Sequence, residues 1–419
     1  MGEVFNGRVA VLGLGYVGLP TAVALATRGV DVIGVDVNPK TIEAVSQGRV
    51  PFVEPDLAVG VSGAVALGRL TATMETPEAE AYIIAVPTPF NPDRTADLSY
   101  VKAAAEQIAP RIKPGAIVIL ESTSPPGTTE KVSRWIGALR PDLKMPHDND
   151  GVTEVHVAHC PERVLPGRIM IEIVTNDRVI GGMTSRCAER AAALYQVFAQ
   201  GEILLTDAAT AEMAKLVENA YRDVNIAFAN ELSMISEELH LDVWEVIRLA
   251  NRHPRVNILS PGPGVGGHCI PVDPWFIISA APGAAKLLRA AREVNDHKPH
   301  HVANAVIASS ERFREPVISC LGLSFKADVD DFRESPAIEV VELIAAARPD
   351  VTVLISDPFI NGTMPGRLGD MPNVRLESAA DAVDRADIVV LLVEHEKFKS
   401  LRHTRFGGKV VYDTRGVWN

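Results

Sequence analysis

The apolar positions along the chain fall into three successive regimes. "RVAVLGLGYVGLP" starts with a short apolar run, Val9 to Leu12, and turns through glycines into the small-residue stretch "TAVALATRGV", which predicts a helix before a second apolar run in "VDVIGVD". Short apolar runs bounded by turn residues read as buried strands, so this opening is a strand-helix-strand unit. Further runs, "AYIIAVPTP" near 81–89 and "GAIVILEST" near 115–123, alternate with helical stretches. Such alternation is the pattern of a doubly wound parallel sheet, whose strands are covered on both faces. Thr88, Ser122 and Thr123 fall where two of these strands end, the end at which such sheets bind ligands.

From about Thr206 the pattern becomes one long helix, "DAATAEMAKLVENAYRDVNIAFANELSMISEELH", with apolar residues at Met213, Leu216, Ala220, Val224, Ala227 and Phe228 and no internal glycine or proline. After Pro316 the strand-helix rhythm returns in "VISCLGL", "AIEVVELIAAA", "VTVLISD", "ADIVVLLVEH" and "KVVYDTRG", and Asp36 and Asp357 close comparable strands. The expected fold is α/β: two doubly wound Rossmann-like lobes joined by a long central helix, with domains over 1–205, 206–300 and 301–419. The stretch "RPDLKMPHDNDGVTE" (140–154) is expected to be an exposed polar loop.

Composition narrows the function classes. The chain has 419 residues, enough for two or three cores at roughly 150 residues each. A net charge of -12 disfavours nucleic acid as a partner. No apolar run approaches the ~18 residues of a membrane span, and "MGEVFNGRVAVLGLG" lacks the order of a signal peptide. A cytoplasmic protein without a membrane partner is expected. The cysteines, Cys160, Cys187, Cys269 and Cys320, are few and lack a C-x-x-C spacing, which argues against both a disulfide framework and a metal site.

Gly13, Gly15 and Gly18 form G-x-G-x-x-G between a strand and a helix, and Asp36 ends the next strand. That context marks a dinucleotide site: the glycines allow a tight turn and close backbone approach, and the aspartate accepts from ribose hydroxyls. A carboxylate there repels a 2′-phosphate, so NAD is expected over NADP, with FAD the minor competitor. Tyr16 and Val17 inside the fingerprint, and Thr88 and Thr123 at the strand ends, are counted with the cofactor site.

Other constellations are less specific. Lys215, Asn219 and Arg222 are spaced i, i+4 and i+7, so they either grip one ligand together or form the solvated stripe of a helix. "HCPERVLPGR" sets Glu162 beside Arg163 in a proline-bracketed loop, and "NRHPRVNILSPGPG" brings His253 and Arg255 just before a cysteine loop. These are charged loop residues, or they hold a diphosphate and sugar hydroxyls through forked, charge-assisted bonds. In "GPGVGGHCIPVDPWF", Cys269 has no apolar periodicity around it, and Gly264, Gly266 and Gly267 are expected to let backbone approach a substrate. An NAD enzyme has a use for a thiolate when an aldehyde must lose a second hydride: a thiohemiacetal can become a thioester, which water cleaves. Nucleophile, oxyanion donor and water-handling group are then needed, for which Cys269, Lys215 and Asp273 are the candidates.

Taken in order, "GLGYVGLP", "VPTP", "ESTSPPGTTEK", "AEMAKLVENAYRDVNIAFANE", "GPGVGGHCIPVDPWF" and "GLSFKADVDDFRESP" resemble the UDP-glucose/GDP-mannose dehydrogenase family across nearly the whole chain. The resemblance implies four-electron oxidation of the C6 alcohol of a nucleotide sugar to a uronic acid with two NAD. By it, Cys269 matches the nucleophile, Lys215 the catalytic lysine, Asn219 its neighbouring asparagine and Asp273 the water-handling aspartate, with Thr123 and Glu162 at further active-site positions. Lys326 matches a lysine reaching substrate from the C-terminal lobe, which implies a UDP-sugar site there, and Arg333 an arginine near the cofactor. Arg163, Val164, Arg222, His253, Arg255 and Gly266, with Lys215 and Asn219, match substrate contacts. "CPERVLPG", "NRHPRVNIL" and "GGHC" look like the UDP-N-acetylmannosamine branch, with UDP-N-acetylglucosamine as the competing substrate. Pro271 and Ser324 depart from that branch without removing a catalytic group. At least a homodimer and a role in polysaccharide synthesis are implied. A two-electron hydroxyacid dehydrogenase has no use for Cys269 or the C-terminal lobe, and an NAD-sensing scaffold would form no NADH.

Overall fold

The computed structural model describes residues 5–52, 54, 56–148, 152–164, 167–403 and 406–418. The chain packs as two compact units, Met1–Glu218 with Ser279–Ala281, and Asn219–Ile278 with Pro282–Asn419. Of the expected central segment, 206–300, residues 206–218 and 279–281 pack with the first unit and the rest with the second.

The first unit is built on a sheet of β1 (Arg8–Leu12), β2 (Asp31–Val35), β3 (Leu70–Thr73), β4 (Ala81–Ile84), β5 (Ile117–Leu120), β6 (His156–His159), β7 (Arg178–Gly182) and β8 (Ile203–Asp207), in the order β3-β2-β1-β4-β5-β6-β7-β8. Alternation of side chains explains why its strands are apolar throughout. Val9 and Val11 of β1 join the core under the helix Gly18–Ala26, whereas Ala10 and Leu12 join the opposite layer with Val101, Ala104 and Ile108 of the helix Ser99–Ile108. The pairs from β3 through β6 are parallel, with Val9 opposite Val32 on one side and Ala81 on the other.

The far edge departs from that rule: β7 runs antiparallel to β6, and β8 parallel to β7. Gly181 makes the edge possible, since a Cβ there would lie 2.4 Å from the Asp207 carbonyl oxygen. The stretch 140–154 also differs from the exposed loop expected of it. Leu143 and Met145 are buried in the layer that covers β5, because their side chains supply the apolar surface that layer lacks. Residues 149–151 of the stretch lie outside the described residues.

The second unit contains β9 (Val317–Leu321), β10 (Thr352–Ser356), β11 (Val374–Leu376), β12 (Ile388–Leu391) and β13 (Val410–Asp413), all parallel, in the order β11-β10-β9-β12-β13. The long helix, Ala208–Glu238, carries the chain into this unit. Leu216, Ala220 and Ala227 are buried along it, but Phe228, counted with the same apolar set, is 54% exposed, as are Tyr221 and Ile235 in large part. The helix Lys286–Ser310 contributes Val302, Ala303 and Val306 to the core over β9 and β12.

A buried polar chain ties these helices together. Arg292 donates to the Asp223 carboxylate at 2.6 Å and also pairs with Asp296. Asn295 donates to Asp223 at 2.8 Å, Asn230 to Asn295 at 2.9 Å, and the Gly262 N–H to Asn230 at 2.9 Å. The loop bearing Cys269 is thereby anchored to the long helix at its first glycine. Burial raises the Asp223 carboxyl above its usual value, against the pull of Arg292 and Asn295. Removing one member of a buried pair strands the other charge, which costs about 3–5 kcal/mol. Asp223→Ala is therefore expected to lower stability in denaturant titration by that order, and a loss below about 0.5 kcal/mol would show that Arg292 needs no partner there.

Candidate active site

In the first unit, the three fingerprint glycines meet three different demands. Gly13 has φ +94°, and a Cβ on it would lie 2.5 Å from the Ala85 carbonyl oxygen, so the turn after β1 excludes other residues. A Cβ on Gly18 would lie 1.9 Å from the Gly13 oxygen, which fixes the helix against the turn. Nothing lies within 4 Å of a Cβ built on Gly15, where backbone is open to a ligand. No side chain caps the helix Gly18–Ala26 at Val17, leaving its N-terminal N–H groups for a phosphate. The Asp36 carboxylate braces this turn, accepting from Leu14 N at 2.9 Å and Asn38 N at 2.8 Å. Tyr16 packs on Phe52, with ring centroids 4.2 Å apart. A dinucleotide fits this arrangement: turn, open amides and carboxylate are all present.

Beyond β4 and β5, Thr88 Oγ1 donates to the Thr123 carbonyl at 2.6 Å, joining the two strand-end turns. Val164 packs on the core, and the Arg163 guanidinium is already engaged, donating to Glu218 at 2.6 Å and to the Asp177 carbonyl at 2.5 Å. Lys215 is half-buried on the long helix. Glu162 is buried, accepting from Arg163 N at 2.7 Å and from the buried Arg178 guanidinium at 3.3 Å. Beside them Glu121 accepts from Tyr195 Oη at 2.6 Å and Thr21 Oγ1 at 3.1 Å. Burial, and then the Glu162 charge, push Glu121 up to about 7.

In the second unit, Cys269 is exposed, whereas Cys160, Cys187 and Cys320 are buried. The Cys269 carbonyl accepts from Val272 N at 3.1 Å and Asp273 N at 2.9 Å, so the thiol sits on the turn that starts the helix Asp273–Ala280. The buried Asp273 carboxylate accepts from the Asn219 amide at 2.5 Å, linking that turn to the long helix. The neighbouring glycines serve the chain itself. A Cβ on Gly266 would lie 2.7 Å from the Glu334 carbonyl oxygen, one on Gly264 2.7 Å from Pro336, and one on Gly267 3.3 Å from the Phe325 ring. They let the cysteine loop lie against the segment that carries Lys326 and Arg333, where the sequence suggested a role in admitting substrate.

Lys326 is exposed, and its carbonyl accepts from the buried Ser324 hydroxyl at 2.8 Å. Ser324 in turn meets His395, whose Nδ1 accepts from Asp328 N at 3.0 Å, so that Nε2 carries the proton and donates to Asp357 at 3.0 Å. Arg333 is paired with Asp331 through two bonds, at 2.9 and 2.7 Å. Arg222, His253 and Arg255 are exposed on the long helix and in the 251–257 turn; Arg255 N donates to His253 Nδ1 at 3.3 Å.

Sequence reasoning missed Arg178, Glu121, Tyr195 and His395. The available signal was a charge inside or beside an apolar run, Glu121 in "VILEST" and Arg178 opening "RVIGG", where a buried charge requires a partner. A cavity of about 1140 Å³ opens at the opposite, amino-terminal ends of β1, β2 and β5, lined by Arg8, Asp31, Glu80 and Ala116 among others and by none of the candidates.

Folded Glu121 keeps its proton to about 7, whereas an ordinary glutamate carboxyl loses it near 4.5. The folded state thus binds the extra proton between those values, and the stability this contributes is full below 4.5 and lost as pH rises through about 7. Glu121→Gln is expected to flatten that decline, worth at most on the order of 3 kcal/mol, in denaturant titrations at several pH values. An unaltered difference between mildly acidic and mildly basic pH would contradict it.

Models of the UDP-glucose/GDP-mannose dehydrogenase family match along the chain: its NAD binding domain at residues 7–199, its central domain at 209–297 and its UDP binding domain at 319–419. The NDP-N-acetyl-D-galactosaminuronic acid dehydrogenase of Ralstonia nicotianae is 56% identical over 411 residues, covering 98% of this chain and 96% of that protein. The UDP-N-acetyl-D-mannosamine dehydrogenase of Escherichia coli is 50% identical over 418 residues, covering 98% and 99%. Among solved structures, the UDP-D-ManNAc dehydrogenase of Pyrococcus horikoshii aligns with TM-score 0.85 and 39% identity over 98% of this chain and 96% of that one. Open amides after β1, a carboxylate after β2 and three matched domains make the first unit an NAD site, and the chain is an oxidoreductase that belongs to the UDP-glucose/GDP-mannose dehydrogenase family.

Proposed function

We propose that the chain oxidises C6 of UDP-N-acetyl-D-mannosamine to the uronate through a covalent intermediate on Cys269. The observation that carries this reading is the Asn219–Asp273–Cys269 arrangement: an exposed thiol on a helix-starting turn, with a buried carboxylate four residues on held by an amide from the long helix. A two-electron dehydrogenase has no task for it.

NAD, when bound, would supply the hydride acceptor twice per sugar, so that alcohol, two NAD⁺ and one water would give carboxylate, two NADH and three protons. Asp36, Gly15 and the open N-terminus of the helix Gly18–Ala26 would hold it. The Cys269 thiolate adds to the C6 aldehyde to give a thiohemiacetal, and after the second oxidation the C–S bond of the thioester breaks as water attacks, regenerating the thiolate. Lys215 donates to the C6 oxygen as negative charge develops, and Asp273 and Glu162 handle protons. Arg222, His253, Arg255 and Lys326, exposed cationic or imidazole groups, hold the diphosphate and sugar, with Arg333 toward the cofactor. The exposed Tyr221, Phe228 and Ile235, spaced i, i+7 and i+14 on the long helix, form the face of a homo-oligomer. The uronate product suits polysaccharide synthesis. A second reading, favoured by the 56% identity to the Ralstonia protein, places an N-acetylgalactosamine nucleotide in the same site.

NADH formed per mole of limiting UDP-N-acetylmannosamine is expected to be two. The N-acetylglucosamine and N-acetylgalactosamine nucleotides run in parallel decide the sugar, and a ratio of one on every substrate would refute the four-electron reaction. Removing an oxyanion donor costs about 2.7–4 kcal/mol of transition-state stabilisation, so Lys215→Ala should lower kcat by roughly 10²–10³ with NAD affinity kept. Unchanged turnover would remove Lys215 from the chemistry. Cys269→Ala should end uronate formation, and uronate at the native rate would exclude the covalent route.

A further inference from the structure

Glu162 does not stand alone: its carboxylate is one end of a buried network confined to the first unit. Arg178 opens β7, the strand that runs antiparallel to β6, and its guanidinium is buried. It donates to Glu162 at 3.3 Å and to the Ile173 carbonyl at 2.9 Å, and it lies 3.8 Å from Cys160 Sγ. Its plane is fixed by the rings of Tyr195 and Phe198, whose centroids lie 4.9 and 5.0 Å away. Tyr195 passes the contact on to Glu121, and Thr21, on the helix of the glycine fingerprint, closes the other side of that carboxyl.

The charge count is uneven. Two carboxyls face one guanidinium where water is excluded, and such a site cannot hold both carboxyls ionised without cost. The remaining neighbours do not alter the count. Cys160 is pushed up to about 12 by burial, His159 is held near 3 by burial and stays neutral, and Tyr195 is raised. Arg163 has its own partner in Glu218. Thr21 carries no charge. Burial therefore favours the protonated form of Glu121, the carboxyl without a cation in hydrogen-bond contact.

We propose that Arg178 is the positioning residue of the candidate carboxylate Glu162, and that Glu121 is the buried acid against which this pair is balanced, so that the trio together sets the pH dependence of turnover. The inference rests on the reading of Glu162 as an active-site group. Arg178 touches neither substrate nor cofactor; it holds the carboxylate in place through its guanidinium, while Glu121 adds or withdraws one negative charge from its surroundings. Such coupled groups titrate as a set.

The test measures kcat and kcat/KM for NADH formation from UDP-N-acetylmannosamine between about pH 6 and 9. Glu121→Gln, close to isosteric, is expected to erase an inflection of the profile near 7, the value to which burial pushes that carboxyl. Arg178→Met leaves two carboxyls without a cation, and kcat should fall about tenfold or more with the acid limb moved up by about one pH unit. Adding Glu121→Gln to it should return the limb, and Arg178→Lys should keep the native limb with reduced kcat. A uniform loss at every pH in the Arg178 variants, with no limb movement and no return on adding Glu121→Gln, would overturn the proposal in favour of a packing role. Should Arg178→Met fail to fold by circular dichroism, Glu121→Gln and Arg178→Lys decide alone: an unmoved inflection in the first, or a displaced limb in the second, overturns it. Failure of the underlying reading looks different: the wild type then forms no NADH from any UDP-N-acetylhexosamine, or Glu162→Gln turns over like the wild type.

Discussion

Both sheets depend on the same constraint: the backbone N–H groups of the turn after the first strand must find an acceptor, and the second strand supplies one as a carboxylate. In the first unit Gly13 N donates to the Val35 carbonyl and Leu14 N to Asp36. In the second, Gly322 N donates to the Ser356 carbonyl, and Leu323 N and Ser324 N donate to Asp357. Gly13 and Gly322 take matching left-handed conformations, φ +94° and +86°, and a Cβ at either would also lie 2.5 Å from the chain that follows β4 or β12. Two turns of one design thus end in different sites. Past Gly13 the backbone stays open at Gly15, and a dinucleotide can approach. Past Gly322 the space is taken by the buried His395, which donates to Asp357. Burial raises Asp357, but the bonds from His395 and from Leu323 and Phe359 N–H outweigh it and hold the carboxyl below its usual value. The second turn is closed by its own chain and instead presents Lys326.

That comparison explains how much of the molecule was legible from the sequence. Strands β1, β2, β4, β5, β9, β10, β12 and β13 are apolar on both faces, so their runs announce themselves, and the glycine fingerprint with Asp36 announces the first turn. Strands β7 and β8 do not. β8 is an edge strand with Leu204 and Leu205 each about half exposed, and in β7 only Val179 and Ile180 stand between Arg178 and two glycines, so neither shows a long buried apolar run. The glycines around Cys269 were less legible for a related reason. A glycine marks close approach but not what approaches, and here Phe325, Glu334 and Pro336 are the approaching groups. Leu143 and Met145 were hidden by polar neighbours in a stretch whose composition was that of a loop.

The candidate site divides along the same line. Exposed groups such as Cys269, Lys326, Arg222 and Arg255 stood out by motif and spacing, because they lie outside the apolar runs and in polar or glycine-rich surroundings. Buried groups that act through others cannot be recognised by spacing: Arg178 and Glu121 are 57 residues apart in sequence and share no motif, and only the fold brings them to one carboxylate. A sequence reading therefore recovers exposed, motif-bearing groups before buried ones that only the fold joins.

The distribution of unsatisfied polar atoms adds a physical reason to look at the end of β6. Among the described residues, the buried side-chain atoms without a hydrogen-bond partner include both ring nitrogens of His159, Nε of Arg178 and Oγ of Ser124. A buried donor or acceptor left unpaired costs about 1–3 kcal/mol, and folded proteins keep few of them. Three of these residues lie at or next to the turns bearing Glu162 and Thr123. His159 in particular is fully buried and held neutral, although a small apolar residue could fill such a strand position without that cost. A fold that tolerates underbonded polar groups here, while satisfying Glu212 with three bonds from Gly127 and Thr129 a few residues away, has not optimised this end of the sheet for stability. Polar groups kept at such a cost beside a buried carboxyl are better explained by the electrostatics they impose on it than by what they contribute to folding.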